Sequence, residues 1–320
     1  MMYAAIVAGF VLLLKGAEYL VEGSSTLASK LGVSPLVIGL TVVAFGTSMP
    51  ELTVNVLAAL SGTTDVAFGN VIGSNIANIL LILGVTAMIR PLAVQHTTVW
   101  KEIPLAFLST LVLLALAARP FLDPGSLGAI ARTDGIILML FFAIFLSYVL
   151  ELVRKNRSEK LEESVEIERH SLPMIAFMIG GGLGALVIGG KWVVDGAVAI
   201  ATTFGISEYV IAVTIIAIGT SLPELVTSVV AARKGHSDLA VGNVIGSNIF
   251  NVFWVLGATA LVTPVPFPIH AAADLAVLGT ATALLFVFAT ISKGQHLAPL
   301  HGRIMVALYL LYMILLVLRG

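Results

Sequence analysis

The sequence predicts an all-α polytopic membrane protein of ten transmembrane helices, arranged as two five-helix repeats of inverted topology. Three observations predict it. The 320-residue chain is 58% hydrophobic and 11% charged, with a mean hydropathy of +1.06, whereas soluble domains run near 25% charged. Its apolar residues form continuous runs about as long as a bilayer crossing, roughly 20 residues each, not the alternating pattern of a membrane β-barrel. The two halves also repeat one another at a constant offset.

Composition excludes several function classes. Lys+Arg number 17 against 18 Asp+Glu, a net charge of −1, so no basic excess exists to hold nucleic acid. The absence of cysteine removes disulfides, thiolate metal sites and Cys nucleophiles. His96, His170, His236, His270, His296 and His301 fall in loops or at span ends, so no histidine metal site is expected. No nucleophile–base pair or aspartate dyad sits within a span; an enzyme is not expected, and neither is a cofactor.

Charges bound the spans near 2–22, 34–60, 66–89, 103–118, 133–152, 171–199, 208–232, 239–262, 271–292 and 303–319. These lengths suit a hydrocarbon core of about 30 Å, with tilt for the longer ones. The first span lacks a small-residue cleavage site after it and has a counterpart later in the chain, so it is expected to be retained. The three tryptophans fit interfacial anchors or packing. With the N-terminus outside, Lys30, Arg90, Lys101, Arg154, Lys155, Arg157, Lys160, Arg169, Arg233, Lys234, Lys293 and Arg303 lie inside, and Arg119, Arg132 and Arg319 outside. That bias places both termini outside and the 153–170 segment in the cytoplasm of a cell-membrane protein. The hydrophilic 153–170 linker divides the chain into repeats 1–152 and 171–320.

A shift of 173 residues aligns LGVSPLVIGLTVVAFGTSMPEL (31–52) with FGISEYVIAVTIIAIGTSLPEL (204–225), and DVAFGNVIGSNIANI (65–79) with DLAVGNVIGSNIFNV (238–252). Between the motif regions 32–87 and 205–260, 31 of 56 positions are identical. Five spans separate equivalent points. Five is odd, so the copies insert with opposite orientation, the architecture of alternating-access transporters.

Each copy carries a carboxylate within a span, Glu51 and Glu224. A charge at mid-bilayer costs several kcal/mol, and neither Glu has a Lys or Arg three or four residues away in its own span. The simplest partner is a cation from solution. Pro50 and Pro223 lack an N–H and free the carbonyls of Gly46 and Gly219, so Gly46–Ser48 and Gly219–Ser221 are expected to unwind beside a polar cavity. Unwound carbonyls beside a carboxylate make an all-oxygen site suited to Ca²⁺ or Na⁺. In the second motif, Ser74 with Asn78, and Ser247 with Asn251, share a helix face and offer neutral oxygens. Asn75 and Asn248 lie one residue off that face, and their part stays open. Gly69, Gly73, Gly242 and Gly246 are expected to pack helices closely. Asp65 and Asp238 read as N-caps. Lys15 with Glu18 and Lys191 with Asp195 read as helix-surface pairs, with a gating role as the alternative.

The doubled GTSxPE and GNVIGSN motifs resemble the α-repeats of the sodium/calcium exchanger family, within the cation/Ca²⁺ antiporter superfamily, over essentially the whole chain. The resemblance implies antiport of one Ca²⁺ for three Na⁺ through four clustered sites. Two carboxylates balance one Ca²⁺ or two Na⁺, so with a third Na⁺ the exchange is expected to be electrogenic, and each chain holds a complete site, so a monomer suffices. By resemblance, Glu51 and Glu224 are the central carboxylates, with backbone carbonyls from Thr47 and Thr220. Ala44, Ser48 and Ser74 line one Na⁺ site on the inner side, and Ala217, Ser221 and Ser247 its outer mate. Asn78 and Asn251 take the central position. Some family members carry Asp at one of these places, and K⁺-dependent exchangers resemble that pattern in the second repeat, so Asn251 speaks against K⁺ coupling. The glycine-rich first and sixth spans are expected to slide across the core. H⁺/Ca²⁺ exchange on the same scaffold is the nearest alternative; a passive channel fits inverted repeats less well.

Overall fold

The computed structural model describes residues 2–62, 64–122, 128–159, 170–204, 217–268, 271–292 and 294–319. A stretch without proline forms α1 (Met2–Leu31, 30 residues), roughly 45 Å long at 1.5 Å per residue. It ends where Gly32 takes a positive φ of 68°. The Gly32 and Val33 amides there donate to the Ser29 and Ala28 carbonyls, which satisfies carbonyls that the last turn leaves free. Pro35 starts α2 (Pro35–Thr47), which is followed across a 41° bend by α3 (Met49–Leu60). After these come α4 (Val66–Ile89), α5 (Thr98–Ala117), α6 (Arg132–Glu159) and α7 (Leu172–Thr203). α7 is capped by the Ser171 hydroxyl, which accepts from the Met174 amide at 3.4 Å. A turn at Ala217–Gly219 precedes α8 (Leu222–Arg233). The chain closes with α9 (Ser237–Val262), α10 (Ala271–Ile291) and α11 (Pro299–Arg319).

Among the described residues, seven helices are long and apolar enough to cross a membrane, and α2 with α3 forms an eighth, broken span. The predicted span 208–232 is represented by the Ala217–Gly219 turn and α8; its earlier part lies outside the described residues. Several boundaries differ from those predicted. The first span continues to Leu31, because Ser and Thr within 24–26 do not interrupt a helix that packs along its length. α6 runs on to Glu159, since the charged residues after Glu151 are good helix formers. α5 opens with the π-helical turn Thr98–Glu102, and the fully buried Glu102 there accepts from the Tyr148 hydroxyl on α6.

Two short ribbons gather the loops into two ends. At one, β1 (Leu92–Ala93) pairs antiparallel with β4 (His296–Leu297), Arg90 donates to the Arg233 carbonyl at 3.2 Å, and Lys234 lies 3.4 Å from Glu22. At the other, β2 (Ala129–Ile130) pairs with β3 (Val265–Pro266), and Arg132 donates to the Val262 carbonyl at 3.2 Å. α4 and α9 hold the centre: 72% and 83% of their most apolar stretches lie inside the protein, against 22% for α6 and α11. The helices that carry GNVIGSN are therefore the most enclosed. Expected pairs on the surface form within α1 and α7, Lys15–Glu18 at 2.7 Å and Lys191–Asp195 at 3.2 Å.

Asp238 does not cap its helix. His236 occupies the N-cap position, and the Asp238 carboxylate accepts from Gln95 Nε2 at 2.6 Å. The Asp65 side chain lies outside the described residues. Gly242 and Gly246 pack as expected: an added Cβ would stand 2.8 Å from the Leu36 carbonyl oxygen and 2.7 Å from the Ala44 Cβ. Gly69 and Gly73 have nothing within 4 Å among the described residues; the repeat of the Leu36–Leu40 surface, residues 209–213, lies outside them.

α1 and α7 pack backbone to backbone. A Cβ at Gly9 would meet the Gly189 carbonyl oxygen at 2.8 Å, one at Gly16 would meet that of Gly182 at 2.8 Å, and the reverse distances are both 2.7 Å. Numbers rise along one helix as they fall along the other, so the pair is antiparallel. Glycine is required because any side chain would collide with backbone. Replacing Gly182 by Val is expected to lower the stability of the detergent-solubilised protein by about 1–3 kcal/mol through overpacking. Gly184→Ala, which meets nothing within 4 Å among the described residues, should leave the unfolding midpoint close to wild type. Equal midpoints for the two variants would rule out the backbone contact.

Candidate functional site

Proline placement creates the site locally. Pro50 and Pro223 sit in the first turns of α3 and α8, where a missing N–H costs no hydrogen bond. The unwinding is narrower than predicted: Ala44–Thr47 stays helical and only Ser48 leaves the helix, with φ −83° and ψ 6°. In the second copy Thr220 and Ser221 form the turn. One residue out of register suffices, because the Ser48 amide still reaches the Ala44 carbonyl at 3.0 Å. Each break also delivers a Glu to the first turn of a new helix, where the backbone dipole favours a negative group.

Glu51 and Glu224 are 0% exposed. Each carboxylate is held by two serines, one from each repeat. Glu51 Oε1 accepts from Ser221 Oγ at 3.2 Å and Ser74 Oγ at 3.4 Å, and Glu224 Oε1 from Ser48 Oγ at 3.2 Å and Ser247 Oγ at 3.4 Å. The second oxygen of each, Oε2, is buried and has no hydrogen-bond partner among the described residues. Among the described residues no Lys, Arg or His forms an ion pair with either Glu. Nor do three or more His, Cys, Asp or Glu gather anywhere among them, so a cation here would draw on two carboxylates and neutral oxygens.

A second layer of hydrogen bonds, also doubled, supports the Glu backbones. Thr47 Oγ1 donates to Asn243 Oδ1 at 3.1 Å, and Asn243 Nδ2 donates to the Glu224 carbonyl at 3.4 Å and to Ser228 Oγ at 3.0 Å. In the other copy Thr220 Oγ1 donates to Asn70 Oδ1 at 3.3 Å, and Asn70 Nδ2 to the Glu51 carbonyl at 3.4 Å and to Asn55 Oδ1 at 2.7 Å. The sequence reading missed Asn70 and Asn243, although both lie inside the doubled GNVIGSN. Asn55 and Ser228 differ between the copies, and no repeat signal marks them.

Asn78 and Asn251 lie at or just inside the π-helical segments Ala77–Leu83 and Asn251–Leu256, irregularities common at functional positions. Asn78 Nδ2 donates to Asn248 Oδ1 at 2.9 Å and Asn251 Nδ2 to Asn75 Oδ1 at 3.0 Å. The structure thus brings Thr47, Ser48, Glu51 and Ser74 together with Thr220, Ser221, Glu224 and Ser247, and crosses Asn78 and Asn251 to the opposite repeat. Ala44 is fully buried beside this group. The Ala217 side chain lies outside the described residues.

The family profile described as sodium/calcium exchanger protein matches residues 1–151 and 174–318. The chain belongs to the sodium/calcium exchanger family. This exchanger is 31% identical to sodium/calcium exchanger MaX1 of Methanosarcina acetivorans, across 98% of both chains. It is 39% identical to inner membrane protein YrbG of Escherichia coli K12, across 82% of this chain and 80% of that one. A solved structure of the sodium-calcium exchanger NCX_Mj soaked with 2.5 mM Na⁺ and 10 mM Sr²⁺ superposes with a TM-score of 0.83 at 31% identity, covering 98% of each chain. The exchanger is a multi-pass membrane antiporter of the cation/Ca²⁺ class.

The supporting asparagines are not equally enclosed, since Asn243 is 0% exposed and Asn70 is partly exposed. Asn243→Ala removes three hydrogen bonds from a dry site and is expected to cost about 1–3 kcal/mol of unfolding free energy. Asn70→Ala should cost less, because Asn70 and its partner Thr220 are themselves partly exposed. Denaturant titration in detergent checks the order, and a larger loss at Asn70 would contradict it.

Proposed function

We propose that this exchanger moves Ca²⁺ against Na⁺ by alternating access, with one Ca²⁺ exchanged for three Na⁺. Glu51 and Glu224 are the central carboxylates. Thr47 and Thr220 supply backbone carbonyls, Ala44, Ser48 and Ser74 line one Na⁺ site, and Ala217, Ser221 and Ser247 line its mate, with Asn78 and Asn251 between them. The observation that carries this reading is the pair of fully buried carboxylates, each with one oxygen anchored by serines and the other without a partner among the described residues. A carboxylate in that state needs a counter-charge. The oxygens around it favour hard cations.

Competition for shared ligands supplies the coupling. Ca²⁺ takes six to eight oxygens and draws on both Glu at once, whereas Na⁺ ions at flanking positions use the same Glu, so the two cargoes exclude each other. Repeats 1–152 and 171–320 insert in opposite senses around this point, joined by the 153–170 linker. Both termini lie outside and the linker in the cytoplasm, in line with the charge bias and with the gathering of Arg90, Arg233, Lys234 and Glu22 at one end. α1 and α7, fitted backbone to backbone, slide together across the core to switch access. One chain holds a complete site, so a monomer suffices.

In proteoliposomes, radiocalcium uptake should follow an outward Na⁺ gradient in the wild type and fall to the level of protein-free vesicles in Glu51→Gln and Glu224→Gln. Uptake that survives both substitutions, or that follows a pH gradient in place of Na⁺, would refute the assignment. Two carboxylates balance one Ca²⁺ or two Na⁺, so a third Na⁺ leaves a net positive load. A potential imposed with K⁺ and valinomycin should therefore shift the flux, with about 2.3 kcal/mol available per charge per 100 mV. Flux indifferent to voltage would show an electroneutral cycle.

A further inference from the structure

We propose that Asn75 and Asn248 are positioning residues that set which atom of the Asn251 and Asn78 amides is offered to the transported cation. The inference rests on the exchange reading above and concerns two residues to which the motif assigns no role.

An amide side chain has a donor end and an acceptor end, and a cation accepts only the acceptor. Nothing in Asn78 or Asn251 itself decides which end faces inward. The decision starts from two backbone carbonyls, which can only accept. Asn75 Nδ2 donates to the Asn248 carbonyl at 3.2 Å, and Asn248 Nδ2 donates to the Asn75 carbonyl at 3.4 Å. With their NH₂ ends turned to backbone carbonyls, Asn75 and Asn248 direct Oδ1 at Asn251 and Asn78. Asn251 must then present its NH₂ to Asn75, and Asn78 its NH₂ to Asn248, as they do at 3.0 and 2.9 Å. The remaining atoms, Asn78 Oδ1 and Asn251 Oδ1, are buried and have no hydrogen-bond partner among the described residues. All four residues are at most 2% exposed, so water does not compete for the amides.

Each step crosses between repeats. The backbone of one repeat therefore orients the ligand of the same repeat through an amide of the other. Without Asn75, the Asn251 amide is free to turn its NH₂ toward the cation, which replaces attraction by repulsion.

A carboxylate has no donor end and needs no such orientation, and this separates positioning from packing. The test measures Ca²⁺ binding to the purified full-length protein in detergent, by calorimetry and by Ca²⁺-dependent thermal stabilisation, with Na⁺ competition alongside. Asn75→Ala should weaken Ca²⁺ binding roughly 10–100-fold, the range for residues that hold a ligand without touching the metal. In an Asn251→Asp background the same Asn75→Ala substitution should change Ca²⁺ affinity only slightly. Its effect on the unfolding temperature of the ion-free protein should persist there, since that part is packing. Equal losses of affinity in both backgrounds, or no loss in either, would overturn the proposal. Should Asn75→Ala fail to fold, the mirror cycle of Asn248→Ala with Asn78→Asp makes the same prediction. Glu51→Gln run beside them isolates the underlying reading: a wild type without a Ca²⁺ response, or one that Glu51→Gln leaves intact, sinks the site itself, whereas a normal Glu51 result with an unsuppressed Asn75 loss sinks only the positioning role.

Discussion

Two carboxylates taken fully out of water, each satisfied on one oxygen and, among the described residues, bare on the other, constrain the rest of this structure. Removing an ion from water costs several kcal/mol even after the surroundings relax. Serine hydroxyls from both repeats meet part of that cost at Oε1 of Glu51 and Glu224. They are neutral donors, so they leave the charge in place. Much of the surrounding polar framework follows from keeping such a pair of groups in a membrane: the helix breaks that present them, the asparagines that brace their backbones, and the enclosure of α4 and α9.

The site is interlocked rather than apposed. Ser48 serves Glu224 and Ser221 serves Glu51; Thr47 reaches Asn243 and Thr220 reaches Asn70. Neither repeat completes its own carboxylate environment, so the two inverted halves are obliged to meet at this point. The packing elsewhere permits that approach. Gly242 and Gly246 let α9 lie against α2, and glycines at heptad spacing let α1 and α7 touch backbone to backbone. In the latter contact the glycines also seat branched neighbours, Val193 against Gly9 and Ile179 against Gly23.

Much of this was legible in the chain. A repeat offset of 173 residues, one Glu after one Pro in each copy, and polar residues at fixed places in apolar spans are linear properties, and they located the carboxylates and their serines. Less legible were features that depend on what lies across an interface. The π-helical turns and the capture of Asp238 by Gln95 answer to neighbours far away in sequence. Asn70 and Asn243 were visible as repeated letters, but nothing in a single span says that a repeated asparagine braces a carbonyl on another helix.

By itself, then, the sequence determined the membrane class, the doubling, the placement of acid and proline, and the family to which the chain belongs, because hydropathy and repetition are carried by residue order. Only the tertiary structure decided which repeat each hydroxyl and amide would serve. That choice depends on the crossing of helices in space: residues 173 positions apart are equivalent by repetition, yet contact between them and their neighbours is set by how close the glycine-lined backbones come. Directionality is settled there too, since an amide's orientation depends on which acceptor stands opposite it, a fact no one-dimensional pattern contains.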